Sequence, residues 1–203
     1  MSTPFGPPTV GPPAGPPPDG PARFDVAYVE SRNRLTTAFR LILAIPHLVV
    51  RQVWQYLAHI LAVIQWFVIV FTGKRNRGMW DLQQAWMGYN ARVTSYVGLM
   101  SDPYPAFGTT LSPQEQVAYD LAFSEQANRL TSGLRFLWII PAAVIAIFVG
   151  IAGCAVTVVS WFAILFTGKH SRGMFDFLLR VNRFVIRLTA YALLMTDVYP
   201  KFE

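Results

Sequence analysis

Two stretches of the chain carry the residues best placed to do chemistry: WFVIVFTGKRNRGMWD, Trp66 to Asp81, and WFAILFTGKHSRGMFD, Trp161 to Asp176. Each sets a lysine and an arginine three residues apart beside a helix start, Lys74 with Arg77 and Lys169 with Arg172. Cations there, helped by backbone N–H groups, suit the phosphate of an anionic lipid headgroup. Arg180, Arg183 and Arg187 extend the charge downstream. The same residues also have a plainer use. Gly73 and Gly168 follow long apolar runs, where glycine takes the left-handed conformation that ends a helix, and a lysine beyond it meets the negative end of the helix dipole. Asn76 or Ser171 then caps the next helix, and Asp81 or Asp176 falls in its early turns. Helix stop, basic turn and helix start account for most of the motif without any ligand.

Other chemistry is poorly served. His47, His59 and His170 have no companion ligands at metal-binding spacing, and the single Cys154 excludes a cysteine cluster or an internal disulfide. Thr-Gly-Lys lacks the glycine-rich loop that precedes a phosphate-loop lysine, and there is no nucleophile elbow. No catalytic residue, cofactor or metal is assigned, and no enzymatic activity is expected.

The elements that position these residues come in duplicate. Gly73 and Gly168 lie 95 residues apart, and the same shift superimposes Arg34 on Arg129, Pro46 on Pro141 and Tyr104 on Tyr199 without a gap. From Asp25 onward roughly two positions in five agree, so the chain is a tandem duplication. We divide it into a Pro/Gly-rich tail, 1–22, whose composition reads as disordered, a first repeat, 23–108, and a second, 109–203. Ser112, Pro113 and Glu115 fit a helix N-terminus opening the second copy, whereas the matching DVAYVES of the first copy has no such start and reads as strand or coil.

Composition places the repeats in lipid. The 203 residues are 53% hydrophobic and only 14% charged, with mean hydropathy +0.36, too apolar for an ordinary soluble domain. The apolar residues cluster from Leu41 to Phe71 and from Phe136 to Phe166, runs of about 31 residues, beyond the ~18 that mark a membrane candidate. Seventeen Lys+Arg against eleven Asp+Glu give a net charge of +6. Basic residues flank both ends of both runs, which by the positive-inside rule puts all four flanks on the cytoplasmic side. No basic tract carries the interleaved aromatics of a nucleic-acid surface.

The fold class expected is therefore all-α integral membrane, each repeat an apolar helical hairpin, or one long tilted helix, followed by an interfacial amphipathic helix. The charge rule favours the hairpin, with its turn near Arg51-Gln52 and near Gly150 to Gly153. In the second copy Asp176, Arg180, Arg183 and Arg187 share one narrow stripe, which suits a surface helix better than a crossing one. Within the apolar runs, Arg51, Gln55 and His59 repeat every fourth residue, where the second copy has the small-residue ridge Ala146, Gly150 and Cys154. Either the polar stripe packs against the second copy or another subunit, or Arg51 and Gln52 mark a solvated turn. Each repeat closes on an acid, a tyrosine and a proline: Asp102, Tyr104 and Pro105, then Asp197, Tyr199 and Pro200. These make a structural exit at the membrane boundary, or the acids pair with a basic junction.

RLTTAFRLILAIPH, WFVIVFTGKRNRGMWD and SDPYPAF, with their second-copy equivalents, resemble the bacterial membrane family named domain of unknown function 4389, which often occurs as tandem copies. The resemblance implies a multi-pass protein of the bacterial plasma (inner) membrane, N-terminus cytoplasmic, and carries no activity or ligand with it. The function expected is that of a non-enzymatic accessory or scaffold protein. Its partners would be membrane lipids and a larger integral membrane complex, with no nucleic acid. The alternative is a protein that binds an anionic lipid and assists its transport or presentation. An enzyme acting on a membrane lipid is the remote third.

Overall fold

A computed structural model describes residues 22–109 and 115–202. The tail, apart from the buried Ala22, lies outside the described residues, as do Ser112 and Pro113. The first copy runs β1 (Arg23–Val26), α1 (Arg34–Thr72) and α2 (Arg77–Val97); the second runs β2 (Val117–Asp120), α3 (Arg129–Gly133), α4 (Arg135–Thr167) and α5 (Arg172–Ala192). Two of the sequence expectations need correcting. No hairpin divides either apolar run: α1 continues through Arg51-Gln52 and α4 through Gly150 to Gly153. Each run is one long helix, bent at most around Pro46 or Pro141. Nor does a helix open the second copy. The chain at Val117 is strand, and Glu115 instead accepts the Val117 N–H (3.2 Å) and faces Arg92 (3.8 Å).

Local chemistry explains where the helices begin and end. The Asn33 side chain accepts from the amides of Leu35 and Thr36, and Asn128 does the same for Leu130 and Thr131, which satisfies donors that the first helical turn leaves free. Asn76 caps α2 through Met79 N–H (3.1 Å), whereas Ser171 holds its place without a side-chain bond. At the far ends Gly73 and Gly168 adopt φ of +74° and +73° and donate back to Ile69 and Ile164, as anticipated for the Thr-Gly-Lys turns. The space a Cβ would occupy on each glycine is taken by an arginine of the other copy, Arg129 at 2.8 Å and Arg34 at 3.0 Å.

The copies are interlocked. β1 and β2 pair antiparallel with Arg23 opposite Asp120, Phe24 opposite Tyr119, Asp25 opposite Ala118 and Val26 opposite Val117. Because Phe24 and Tyr119 are equivalent positions, the pseudo-twofold axis passes through that pair. Beyond the strands, Ser31 bridges to Lys169 and Gln126 bridges to Lys74. Each copy therefore lays its leading segment along the Thr-Gly-Lys junction of the other.

Three layers result. α1 and α4 form the first, antiparallel, with the Trp66 indole donating to Ser132 O (3.0 Å) and the Trp161 indole to Thr37 O (2.9 Å). α2 returns along α1, from Asn76 beside Gln65 to Tyr96 beside Arg40, and α5 returns likewise along α4. The third layer is the β ribbon: Tyr28 packs edge-on against Phe175 (5.0 Å) and Phe123 against Trp80 (5.3 Å). The apolar core, with Trp86, Met87, Phe175, Leu178 and Ile186, lies between ribbon and helices.

Candidate functional site: the apolar face and its polar underside

α1 is amphipathic in the sense opposite to that of a water-soluble helix. Its buried residues are Thr37, Arg40, Ala44, His47, Ala58, Ala62, Gln65 and Ile69, a stripe at helical spacing that is mostly polar or small. Its exposed residues include Leu35, Phe39, Ile42, Val49, Val53, Ile60 and Phe67. α4 repeats the pattern, burying Arg135, Ala142, Gly153, Ser160 and Ile164 while exposing Phe136, Ile140, Ile147, Phe148 and Phe162. Only 17% of the most apolar stretch of α1, and 11% of that of α4, is buried within the protein, so neither is packed as a core helix of this chain.

Part of the polar underside of α1 is answered by α2 and the closing segment of its own repeat. His47 Nδ1 meets the Tyr89 hydroxyl at 2.8 Å, its ring stacked on Phe107 (4.1 Å) and edge-on to Tyr104 (4.6 Å). Arg51 donates to Asn90 Oδ1 (3.2 Å), and Gln83 to Ala58 O (3.3 Å). Arg51 is thus no solvated turn, since α2 of its own repeat answers it, while His59 lines a cavity together with Arg135 and Phe136 of the second copy. Gln55 is half-buried and accepts through its carbonyl from the exposed His59 (2.7 Å). Within the chain, two residues of the expected small-residue ridge are left unpacked: Gly150 has open space around it and Cys154 is exposed. The close approach in that helix is at Gly153, where a Cβ would lie 3.1 Å from Val181.

The cations singled out for headgroup binding are answered within the chain. Lys74 pairs with Glu125 and Lys169 with Glu30, each at 2.9 Å, and these hydrogen bonds hold both ammonium groups above the usual lysine range. Arg77 pairs with Asp81 (2.9 Å) and Arg172 with Asp176 (3.0 Å), four residues on. Arg172, Arg180 and Arg183 do line one open cavity of about 460 Å³, which they share with Asp25 and Asp176, and pairs as exposed as the four above are worth little and exchange readily. The arginine stripe of α5 turns to the ribbon rather than outward with the apolar face: Arg183 donates to Phe24 O (3.0 Å) and pairs with Asp25 (3.1 Å).

The closing acids do more than end a repeat. Asp102 receives Arg40 (2.6 Å) and Arg32 (3.6 Å); Asp197 receives Arg135 (2.5 Å) and Arg75 (2.7 Å). Arg75 belongs to the Thr-Gly-Lys junction of the other copy, so the expected acid–junction pair exists and ties the repeats to each other. Burial alone would raise the Asp197 carboxyl, but Arg75, the Asn128 amide and Arg135 together hold it below the ordinary carboxylate range. Tyr104 donates to Leu43 O (3.2 Å), while Pro105 and Pro200 are buried. The sequence reading missed Arg32, Arg75 and Arg135 as buried cations. For Arg135 the signal was the offset, which aligns it with Arg40 as it aligns Asp102 with Asp197; Arg32 and Arg75 align with Ala127 and His170 and had no such signal.

These features define a class: a mostly helical tandem repeat with two helices long and apolar enough to cross a membrane, built over a polar interior. Family comparison agrees. The profile described as Domain of unknown function (DUF4389) matches residues 34–108 and again 129–203, well over half of the chain, and the protein belongs to that family in two tandem copies. The first match begins with α1 and the second with α3, so the segments that pair as β1 and β2 precede them. No curated protein and no solved structure matches the chain.

Proposed function

We propose that this protein is a non-enzymatic membrane accessory protein: a bacterial inner-membrane module that docks beside a larger membrane complex and presents its basic surface to the cytoplasmic leaflet. The reversed amphipathicity of α1 and α4 carries this reading. Fully burying one Leu, Ile or Phe side chain is worth about 1.5–3 kcal/mol, so a face built from dozens of them is stable only where lipid or protein covers it. The hydrogen bonds of the polar underside hold the helices of a repeat together, and Arg75 with Asp197 joins the copies, which suits a scaffold. Gentle detergent extraction followed by native mass spectrometry tests the role: a stoichiometric protein partner is expected. Purification as a water-soluble monomer without detergent overturns it.

A second reading, anionic-lipid binding in aid of transport or presentation, is supported by one feature. A cavity of about 510 Å³ opens between the copies, lined by His59, Trp66, Phe67, Arg135 and Phe136. A phospholipid retained through purification, and lost when Trp66, Phe67 and Phe136 at this cavity are replaced by smaller residues, would favour it over the accessory role.

A further inference from the structure

Resting on the membrane reading above, we infer that α1 and α4 lie flat in a single leaflet and do not cross the bilayer. The ribbon is pinned to both ends of α1. α1 spans about 58 Å at 1.5 Å per residue. The ribbon reaches from Ser31, bridged to Lys169 at one end of α1, through the Phe24–Tyr119 axis, to Gln126, bridged to Lys74 at the other end. The seven residues on each side of the axis reach at most roughly 46 Å at ~3.3 Å each, most of the way along the helix. Whatever plane α1 occupies, the ribbon runs alongside it.

A crossing α1 would therefore carry the ribbon through the hydrocarbon. The ribbon is a two-stranded sheet with both edges open, and unpaired sheet edges do not occur in lipid. Its midpoint would lie near the bilayer centre, and that midpoint holds Arg23, Asp25, Asp120 and Arg183, with Arg23 and Asp25 exposed. Even the lenient scale charges such residues ~2.5–3.5 kcal/mol each at the centre. In-plane, all of these groups face water on the side opposite the apolar surface, and no such cost arises.

The flat orientation also explains why every flank is basic. A crossing helix leaves one cationic end outside; a flat one keeps both at headgroup level. Lys74 and Arg77 stand at one end of the apolar face, Lys169 and Arg172 at the other, all largely exposed. That is complementary to an anionic leaflet. One layer of helices ~10 Å across fits within half of a ~30 Å hydrocarbon core, the depth interfacial helices reach. The occupant of the apolar face is thus the acyl region of one leaflet.

The test uses the full chain with Cys154→Ser and single cysteines at Ser31, Ala118 or Gln126, all exposed ribbon positions at one end, the middle and the other end. Each is first floated with vesicles of phosphatidylethanolamine and phosphatidylglycerol. In cells, a membrane-impermeant maleimide should label all three only after the cytoplasmic face is opened. Spin labels at Phe39, Val53 and Phe71 should then report the same shallow depth. Flotation with Ser31→Cys and Gln126→Cys labelled from opposite faces overturns the flat orientation and leaves the membrane reading standing. Failure to float, including recovery as a soluble dimer, overturns both.

Discussion

Asp102 and Asp197 hold the same place in the two repeats, and each is met by two guanidinium groups, but the second guanidinium arrives by different routes. At Asp197 it is Arg75, from the junction of the other copy, and the position equivalent to Arg32 is Ala127. At Asp102 the junction residue equivalent to Arg75 is His170, and Arg32 makes the contact instead. The two positions sit side by side, since Arg32 N–H donates to Gly168 O and His170 N–H to Glu30 O in the bridge between copies. The comparison teaches that the repeat conserves a charge count at a point in space while the residue supplying it moves across a strand. A buried carboxylate with two arginines permits that exchange, because what it needs is compensation rather than a particular backbone origin.

The largest effects should come from breaking these centres. Asp197→Ala strands Arg75 and Arg135, both buried, and should destabilise the protein by about 3 kcal/mol, read as a lowered thermal midpoint in detergent. Asp102→Ala should cost a similar amount through Arg32 and Arg40. A sharper test is exchange. Arg75→His alone leaves Asp197 with one cation; adding Ala127→Arg rebuilds there the Asp102 arrangement. The double variant should recover most of what the single one loses, and a loss as large as the sum of both singles would refute the equivalence of the two routes.

The same exchange makes one centre sensitive to pH. His170 is fully buried, and burial first, then Arg32, pushes its pKa from 6.5 down to about 4. Asp102 pulls the other way and Arg40 adds to the depression. A base whose pKa falls on folding is protonated more readily when unfolded, so stability rises with pH between about 4 and 6.5 and is complete above that window. The effect on acidification should be on the order of 3 kcal/mol. Unfolding midpoints from pH 7 to pH 4, for wild type against His170→Gln, would measure it; a variant that loses as much as wild type over that window assigns the effect elsewhere.

How much of this was legible beforehand follows from what repeats. Helix starts at Asn33, Asn76 and Asn128 and stops at Gly73 and Gly168 could be read because capping is local. The junction between copies could not: Pro113 and Glu115 imitate a helix start, but Val117 pairs with Val26, ninety-one residues away, and a long-range ladder overrides local preference. The hairpin turns were inferred from charge at four flanks, a rule about sidedness that says nothing of whether a helix crosses or lies flat. The polar stripe at Arg51 was visible as a stripe; its partner Asn90 was not, because spacing fixes which residues share a face and not which helix covers it.

Smaller effects separate the interlock from the caps. Gly73→Ala and Gly168→Ala each place a Cβ at positive φ, costing about 1–2 kcal/mol, and push against Arg129 or Arg34. The two variants should lose similar amounts, because the facing arginine lies at 2.8 Å in one and 3.0 Å in the other. Truncating the facing arginine to alanine relieves the steric part and leaves the backbone part, which thermal midpoints of the four variants would resolve.

The gentlest test concerns the polar underside itself. Where the first copy pairs His47 with Tyr89, the second has Ala142 and Phe184, and the ring equivalent to Phe107, Phe202, packs edge-on against Phe184 at 5.6 Å. Tyr89→Phe leaves His47 Nδ1 without its partner and should cost about 1 kcal/mol. His47→Ala added to it imitates the second copy and removes the orphaned nitrogen, while the smaller residue frees space for Phe107 to close on the new ring. The double variant should therefore lose less than the two single losses combined. Simple additivity would mean that the polar pair contributes only its packing volume, and that the two undersides are alternative fillings of one mould rather than distinct bonding schemes.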